Sequence, residues 1–244
     1  MIKFFRHIRQ RLVTESKFSK YMIYAIGEIV LVVIGILIAL SINTWNQGRQ
    51  ASHKEASYIV NLQTDLEEQL EYIEIQLEYE VKYFEVSNRL LDLFKKESTL
   101  TIDTASSKDL STLTERKTFT KADPTYQDLI ATGNIGLIQD EYLRNELLSY
   151  YLELERINKI MLNNNALLID EMFGLKIVHS AYIGEPDQRL YDVSNQLLQE
   201  PARELMLINI IDFREKIARG NIERMKLLKE MTEAMLETLK QHRL

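Results

Sequence analysis

The sequence predicts an all-α fold, with one apolar N-terminal helix followed by an elongated bundle of long, coiled-coil-like helices. Three observations predict it. The first is an uninterrupted apolar run, Met22 to Ile42, in which Glu28 is the only charge. The second is a set of long stretches, starting at Leu62, Leu143 and near Ala202, whose apolar residues recur every three or four positions. The third is scarce punctuation: 8 Gly and 3 Pro in 244 residues leave little room for many short strands and tight turns.

The N-terminal segment, residues 1–20, carries Lys3, Arg6, Arg9, Arg11, Lys17 and Lys20 against a single Glu15. Its basic residues alternate with Ile2, Phe4, Phe5, Ile8, Leu12 and Val13. Such a pattern suits either an interfacial helix on anionic lipid or a solvated tail that sets topology. Residues 21–45 follow as the predicted transmembrane helix. Twenty-one residues at 1.5 Å rise span about 31 Å, enough for a hydrocarbon core. Tyr21 and Tyr24 stand at one end and Trp45 at the other, where interfacial aromatics belong. The positive-inside rule puts the basic flank in the cytoplasm and residues 46–244 across the membrane. Ala39-Leu40-Ser41 offers a signal-peptidase-like site, but the apolar run exceeds the 7–15 residues of a signal peptide, so the segment reads as an uncleaved anchor.

Residues 46–244 read as one helical bundle with a net charge of −10, the whole chain's −6 less the leader's +5 and Glu28's −1. Leu62, Leu66, Leu70, Ile73, Leu77, Val81 and Phe84 follow an eleven-residue period. With Ile59 before them and Leu91 and Phe94 after, they predict a helix over about 50–96, able to continue directly out of the apolar run. Leu143, Leu147, Tyr150, Leu154, Ile157, Met161, Asn164 and Leu168 form a heptad seam with one polar position, Asn164, which either fixes register in the core or faces solvent at a bundle end. A third helix is expected over about 202–243 on Leu205, Ile208, Ile217, Met225, Leu228, Met235 and Leu239, with a kink or short break at Gly220-Asn221.

The intervening pieces are less regular. Residues 97–122 are Ser/Thr-rich and read as a surface loop with at most one short helix. Asp123-Pro124 resembles an N-cap followed by Pro at the first helical position, and Gly133 a helix stop, giving a short helix over 124–132. The turn GNIG then leads to a new start near Asp140. Pro186 and Pro201 mark further helix starts. Residues 176–183, KIVHSAYI, are the best candidate strand and a short one.

Composition excludes several chemistries. Without cysteine there are no disulfides, thiolate zinc sites or Cys nucleophiles. An acidic chain of pI near 5.4 is by default a poor nucleic-acid binder, because phosphate neutralisation needs clustered Lys and Arg. His7, His53, His179 and His242 show no metal-ligand spacing, TGNIGLI lacks the Lys-Ser/Thr of a phosphate loop, and no Ser sits in GxSxG. No catalytic residue, cofactor or metal is therefore expected.

Two features could carry interactions. Residues 65–85 hold eight acids against Lys82, and Glu67, Glu71, Glu74 and Glu78 form a possible docking face for a basic partner. Such a run is more often the solvated side of a long helix. Glu28, Val32, Gly35, Ala39 and Ile42 share one face of the apolar helix. Gly35 and Ala39 are small enough for close approach of another helix, and a carboxylate on that face must be protonated, paired, near water or snorkelling.

KFSKYMIYAIGEIVLVVIGILIALSINTWN, 17–46, behind the FFRHIRQRL leader, resembles the N-terminus of an uncharacterised family of single-pass membrane proteins abundant in Bacteroidota. YQDLIATGNIGLIQDEYLRNELLSYY, 126–151, resembles an internal segment of that family. The resemblance implies an inner-membrane anchor with a periplasmic helical domain, and carries no catalytic residues over. The expected function is a scaffold or sensor-like interaction module in contact with membrane lipid, self-associating or bound to another membrane protein. The rival expectation is a subunit of a proton- or ion-coupled membrane complex that uses Glu28.

Overall fold

The computed structural model describes residues 18–96, 101–166 and 174–242. The basic leader through Lys17 and seam position Leu168 lie outside them. All regular structure among the described residues is helical. The order is α1 (Phe18–Lys96), α2 (Thr104–Thr114), α3 (Pro124–Ala131), a 3₁₀ turn (Asn134–Leu137), α4 (Glu141–Ala166), α5 (Gly174–Ser180), α6 (Gln188–Leu198) and α7 (Pro201–Gln241). The chain divides into two compact units, Met1–Ala56 and Ser57–Leu244.

In the first unit, α1 exposes nearly every side chain from Met22 to Ile42. Ile23, Leu31 and Leu37 are more than half exposed, although water should drive such residues inward. It is the one described helix long and apolar enough to cross a membrane.

In the second unit, α1, α4 and α7 pack along their lengths. Lys229 of α7 donates to Glu74 (2.9 Å), Lys240 pairs with Glu67 (3.2 Å), and Gln63 donates to the Leu239 carbonyl (3.0 Å), so α7 runs antiparallel to α1. Tyr150 meets Thr232 (3.0 Å) and Asn164 meets Asn221 (3.0 Å), so α7 is antiparallel to α4 as well. The α4 seam is the one the sequence predicts: Leu143, Leu147, Tyr150, Leu154, Ile157 and Met161 are all buried.

The other two seams differ from the reading of apolar residues alone. On α1 the central line of buried positions is Ile59, Leu62, Leu66, Gln69, Ile73, Gln76, Glu80, Tyr83, Ser87 and Leu90, with Glu55 buried before it and Asp65, Val86 and Leu91 buried beside it. That central line is a strict 3,4 alternation, a heptad rather than an eleven-residue period. Leu70, Leu77 and Phe84 only flank the core, and Val81 is 36% exposed. On α7 the seam is Leu207, Ile211, Arg214, Ala218, Asn221, Met225, Leu228, Thr232, Met235 and Leu239. Leu205 is 58% exposed, and Ile208 and Ile217 are half-buried. The cause is the same in both helices: polar residues occupy core positions, so the apolar stripe drifts onto the neighbouring face. The expected break at Gly220-Asn221 is absent, because α7 runs unbroken from Pro201 to Gln241 with Asn221 buried in its seam.

The connections close the core. Residues 101–122 do more than form a surface loop, since Ile102, Leu110, Leu113, Phe119 and Ala122 are buried. Asp103 and Ser106 form a reciprocal capping box that starts α2. Asn195 grips the backbone of Ile102 at both N–H (2.6 Å) and carbonyl (3.0 Å). Asp123 holds the N-cap position of α3 but makes no cap bond; it pairs instead with Lys121 (3.0 Å), while Asp65 of α1 accepts from the Thr125 N–H (2.9 Å). Gly133 ends the α3 segment at φ 70°, the left-handed region where a side chain would be strained. Asp140 caps α4 through the N–H groups of Tyr142 and Leu143. Residues 176–183 are not a strand: α5 covers most of them and buries Ile177.

Candidate functional site: a polar layer in the bundle core

The heptad seams of all three long helices turn polar at one level. On α1, Gln76 and Glu80 lie between Ile73 and Tyr83; on α7, Asn221 lies between Ala218 and Met225; on α4, Asn164 follows Met161. Their side chains form one network. Glu80 Oε1 accepts from Gln76 Nε2 (3.0 Å) and Asn221 Nδ2 (3.1 Å), and Asn221 Oδ1 accepts from Asn164 Nδ2 (3.0 Å). Arg214, about two turns earlier on α7 than Asn221, brings Nη1 to 3.7 Å from Glu80 Oε2 and lays its guanidinium 4.0 Å over the Tyr83 ring.

This ion pair is deeply buried, with side-chain exposures of 4% for Arg214 and 1% for Glu80. Burial raises the Glu80 carboxyl above its ordinary range, against the pull of Arg214 and two donated hydrogen bonds. Burial likewise lowers Arg214, opposed by Glu80. Both groups move toward their neutral forms, so desolvation outweighs the mutual attraction across 3.7 Å. Tyr83 is pushed up to about 12, again chiefly by burial. Four buried atoms of the layer, Gln76 Oε1, Glu80 Oε2, Tyr83 OH and Arg214 Nη1, make no hydrogen bond to a described residue. Polar groups buried this way cost free energy that apolar side chains would not. The layer is thus a weak source of stability for the side chains it buries.

The residues singled out from sequence lie elsewhere. Glu28, Val32, Gly35 and Ala39 form an exposed stripe on α1, and a Cβ built on Gly35 would meet nothing within 4 Å. The acidic face divides: Glu67 and Glu74 are engaged by Lys240 and Lys229 of α7, while Glu71 and Glu78 are exposed on the same helix. Asn164 does join the core network, through Asn221. Sequence reading missed Glu80, Arg214, Asn221 and Gln76. The signal that finds them is the 4,3 spacing itself, continued through polar positions from Ile59 to Leu90 and from Leu207 to Leu239. Among the described residues, no group of three or more His, Asp or Glu is placed to hold a metal ion.

Fold and site together define an all-helical protein that combines one exposed apolar helix, long enough to cross a membrane, with a bundle whose core holds a charged layer. The chain belongs to a family of unknown function, DUF6090, whose pattern matches residues 28–171, more than half of its length. That match takes in most of the apolar helix, Gln76 and Glu80 of the polar layer, and all of α4. No curated protein and no solved structure matches the chain.

Proposed function

We propose that the protein is a membrane-anchored interaction module, a scaffold or sensor-like component without catalytic activity. Residues 21–45 anchor it in the inner membrane, the basic leader faces the cytoplasm, and residues 46–244 fold as a helical bundle in the periplasm. The observation that carries this reading is the exposure of Met22–Ile42 along a helix about 31 Å long over those residues. An apolar surface of that extent needs lipid or another protein to cover it. Orientation is supported by the six basic residues that precede the apolar run. Self-association is supported by the Glu28–Val32–Gly35–Ala39 stripe. Packing between close backbones, rather than hydrophobic burial, drives helix association in lipid. A carboxylate on such a face is better satisfied within a protein interface than among acyl chains.

Two measurements test the reading. Reporter fusions after residue 60 are expected to be active only in the periplasm; cytoplasmic activity reverses the orientation. Crosslinking in native membranes should fall for Gly35→Leu and hold for Leu37→Ala, which lies on another face. Equal yields for both variants and wild type would refute the interface. A Glu28→Gln variant that retains association but loses a membrane-potential-dependent growth phenotype would favour the ion-coupled alternative.

A further inference from the structure

The buried apolar side chains of the bundle form two separate clusters. One gathers Ile59–Ile73 of α1, Leu143–Met161 of α4 and Met225–Leu239 of α7. The other gathers Tyr83–Leu91 of α1, Leu207–Ala218 of α7 and the short elements α2, α5 and α6. Between them each long helix presents a polar seam residue: Gln76 and Glu80, Asn164, and Asn221. Dry packing cooperativity, which depends on contiguous side-chain contact, is interrupted at that level.

We propose that this polar layer is a joint, at which the α2–α5–α6 half of the bundle opens as a unit while the α4 half stays folded. Three observations support it. The boundary between the two clusters is lined by Glu80, Arg214, Gln76 and Asn221, which water solvates well, so opening the second half forfeits that half's own apolar contacts but strips little apolar surface from the first. The hydrogen bonds that cross the layer are few and end on Glu80 Oε1 and Asn221 Oδ1, where water can replace them. The second half also depends on helices of 11, 7 and 11 residues, lengths that are marginal without tertiary packing, whereas the first half rests on the 26 residues of α4. The joint gives the bundle a state in which one end is rearranged and the other intact, the kind of bistable element that a sensing or partner-binding step can bias.

Hydrogen exchange of the full chain in detergent micelles, read by mass spectrometry across a denaturant series, tests the joint. The slow amides of 83–91 and 207–218 should exchange about tenfold or more faster than those of 143–161 and 225–239, with a weaker denaturant dependence. If all four segments instead follow one common isotherm, the wild-type measurement overturns the joint by itself. In the variant Gln76→Leu/Glu80→Leu/Arg214→Met/Asn221→Leu, which replaces the buried polar side chains of the layer on α1 and α7 by apolar ones, the gap should shrink below about threefold. A folded variant that keeps the tenfold gap would show that the polar layer is not the dividing point, and would equally overturn the proposal.

Discussion

The register of α7 gives the sharpest test of the packing. Leu207 is fully buried in the second core, whereas Leu205, two residues earlier, is 58% exposed. The apolar positions that define this helix in the sequence include Leu205 but not Leu207. Truncating a buried Leu to Ala removes transfer free energy and leaves a cavity, together about 2–5 kcal/mol. The short helices α5 and α6 pack near Leu207 and can relax into the space, which favours the lower part of that range, about 2–3 kcal/mol. For a bundle of this size each kcal/mol moves the melting temperature by roughly 2–4 °C. Leu207→Ala should therefore lower Tm by about 4–12 °C, and Leu205→Ala by no more than about 2 °C, since exposed truncations stay within about 0.5 kcal/mol. Thermal unfolding of the full chain in micelles, followed by circular dichroism and tyrosine fluorescence, measures both. Equal shifts, or the larger shift at Leu205, would refute the heptad register and with it the placement of Arg214 and Asn221 in the core.

Asp103→Ala should cost about 1 kcal/mol at neutral pH through loss of the capping box on α2. Its carboxyl is held below the ordinary range, first by the Ser106 N–H, so the stabilisation exists above that range and disappears as acid protonates the group. The wild-type and Asp103→Ala melting temperatures should converge as pH falls, and a constant gap would sink the assignment. At the alkaline end, burial raises the Tyr150 hydroxyl to about 12 against an ordinary 10, although its hydrogen bond to Thr232 pulls the other way. A raised folded pKa means that stability is intact below pH 10 and is lost as pH climbs through 12, by roughly 3 kcal/mol for a two-unit difference. Tyr150→Phe should flatten the fall in Tm between pH 10 and 12; an unchanged fall would show that this hydroxyl is not the one being titrated.

Residues close in sequence already settle much of the architecture. Glu28 is the only charge from Met22 to Ile42, and that alone sets the length and hydropathy of the apolar helix. The unbroken spacing from Leu143 to Met161 yields the α4 seam without reference to anything else, because every one of those positions is apolar or Tyr. Gly133 and Asp140 mark their helix ends through local chemistry: a left-handed φ of 70° and a side chain that reaches its own N2 and N3 amides. What the tertiary structure alone decides is where polar residues go inside. A Gln, Glu, Arg or Asn carries no sequence mark of burial, since its default partner is water and only a partner from another helix changes that. Glu80 is buried because Asn221, 141 residues away, donates to it and Arg214 lies alongside. The Asp123-Pro124 signal, too, finds the right helix start but the wrong cap, because Asp65 reaches across from α1 to take the Thr125 N–H. Periodicity reports how a helix meets its neighbour when the contact is apolar; where the contact is polar, the partner's identity carries the information, and that exists only once the helices are packed.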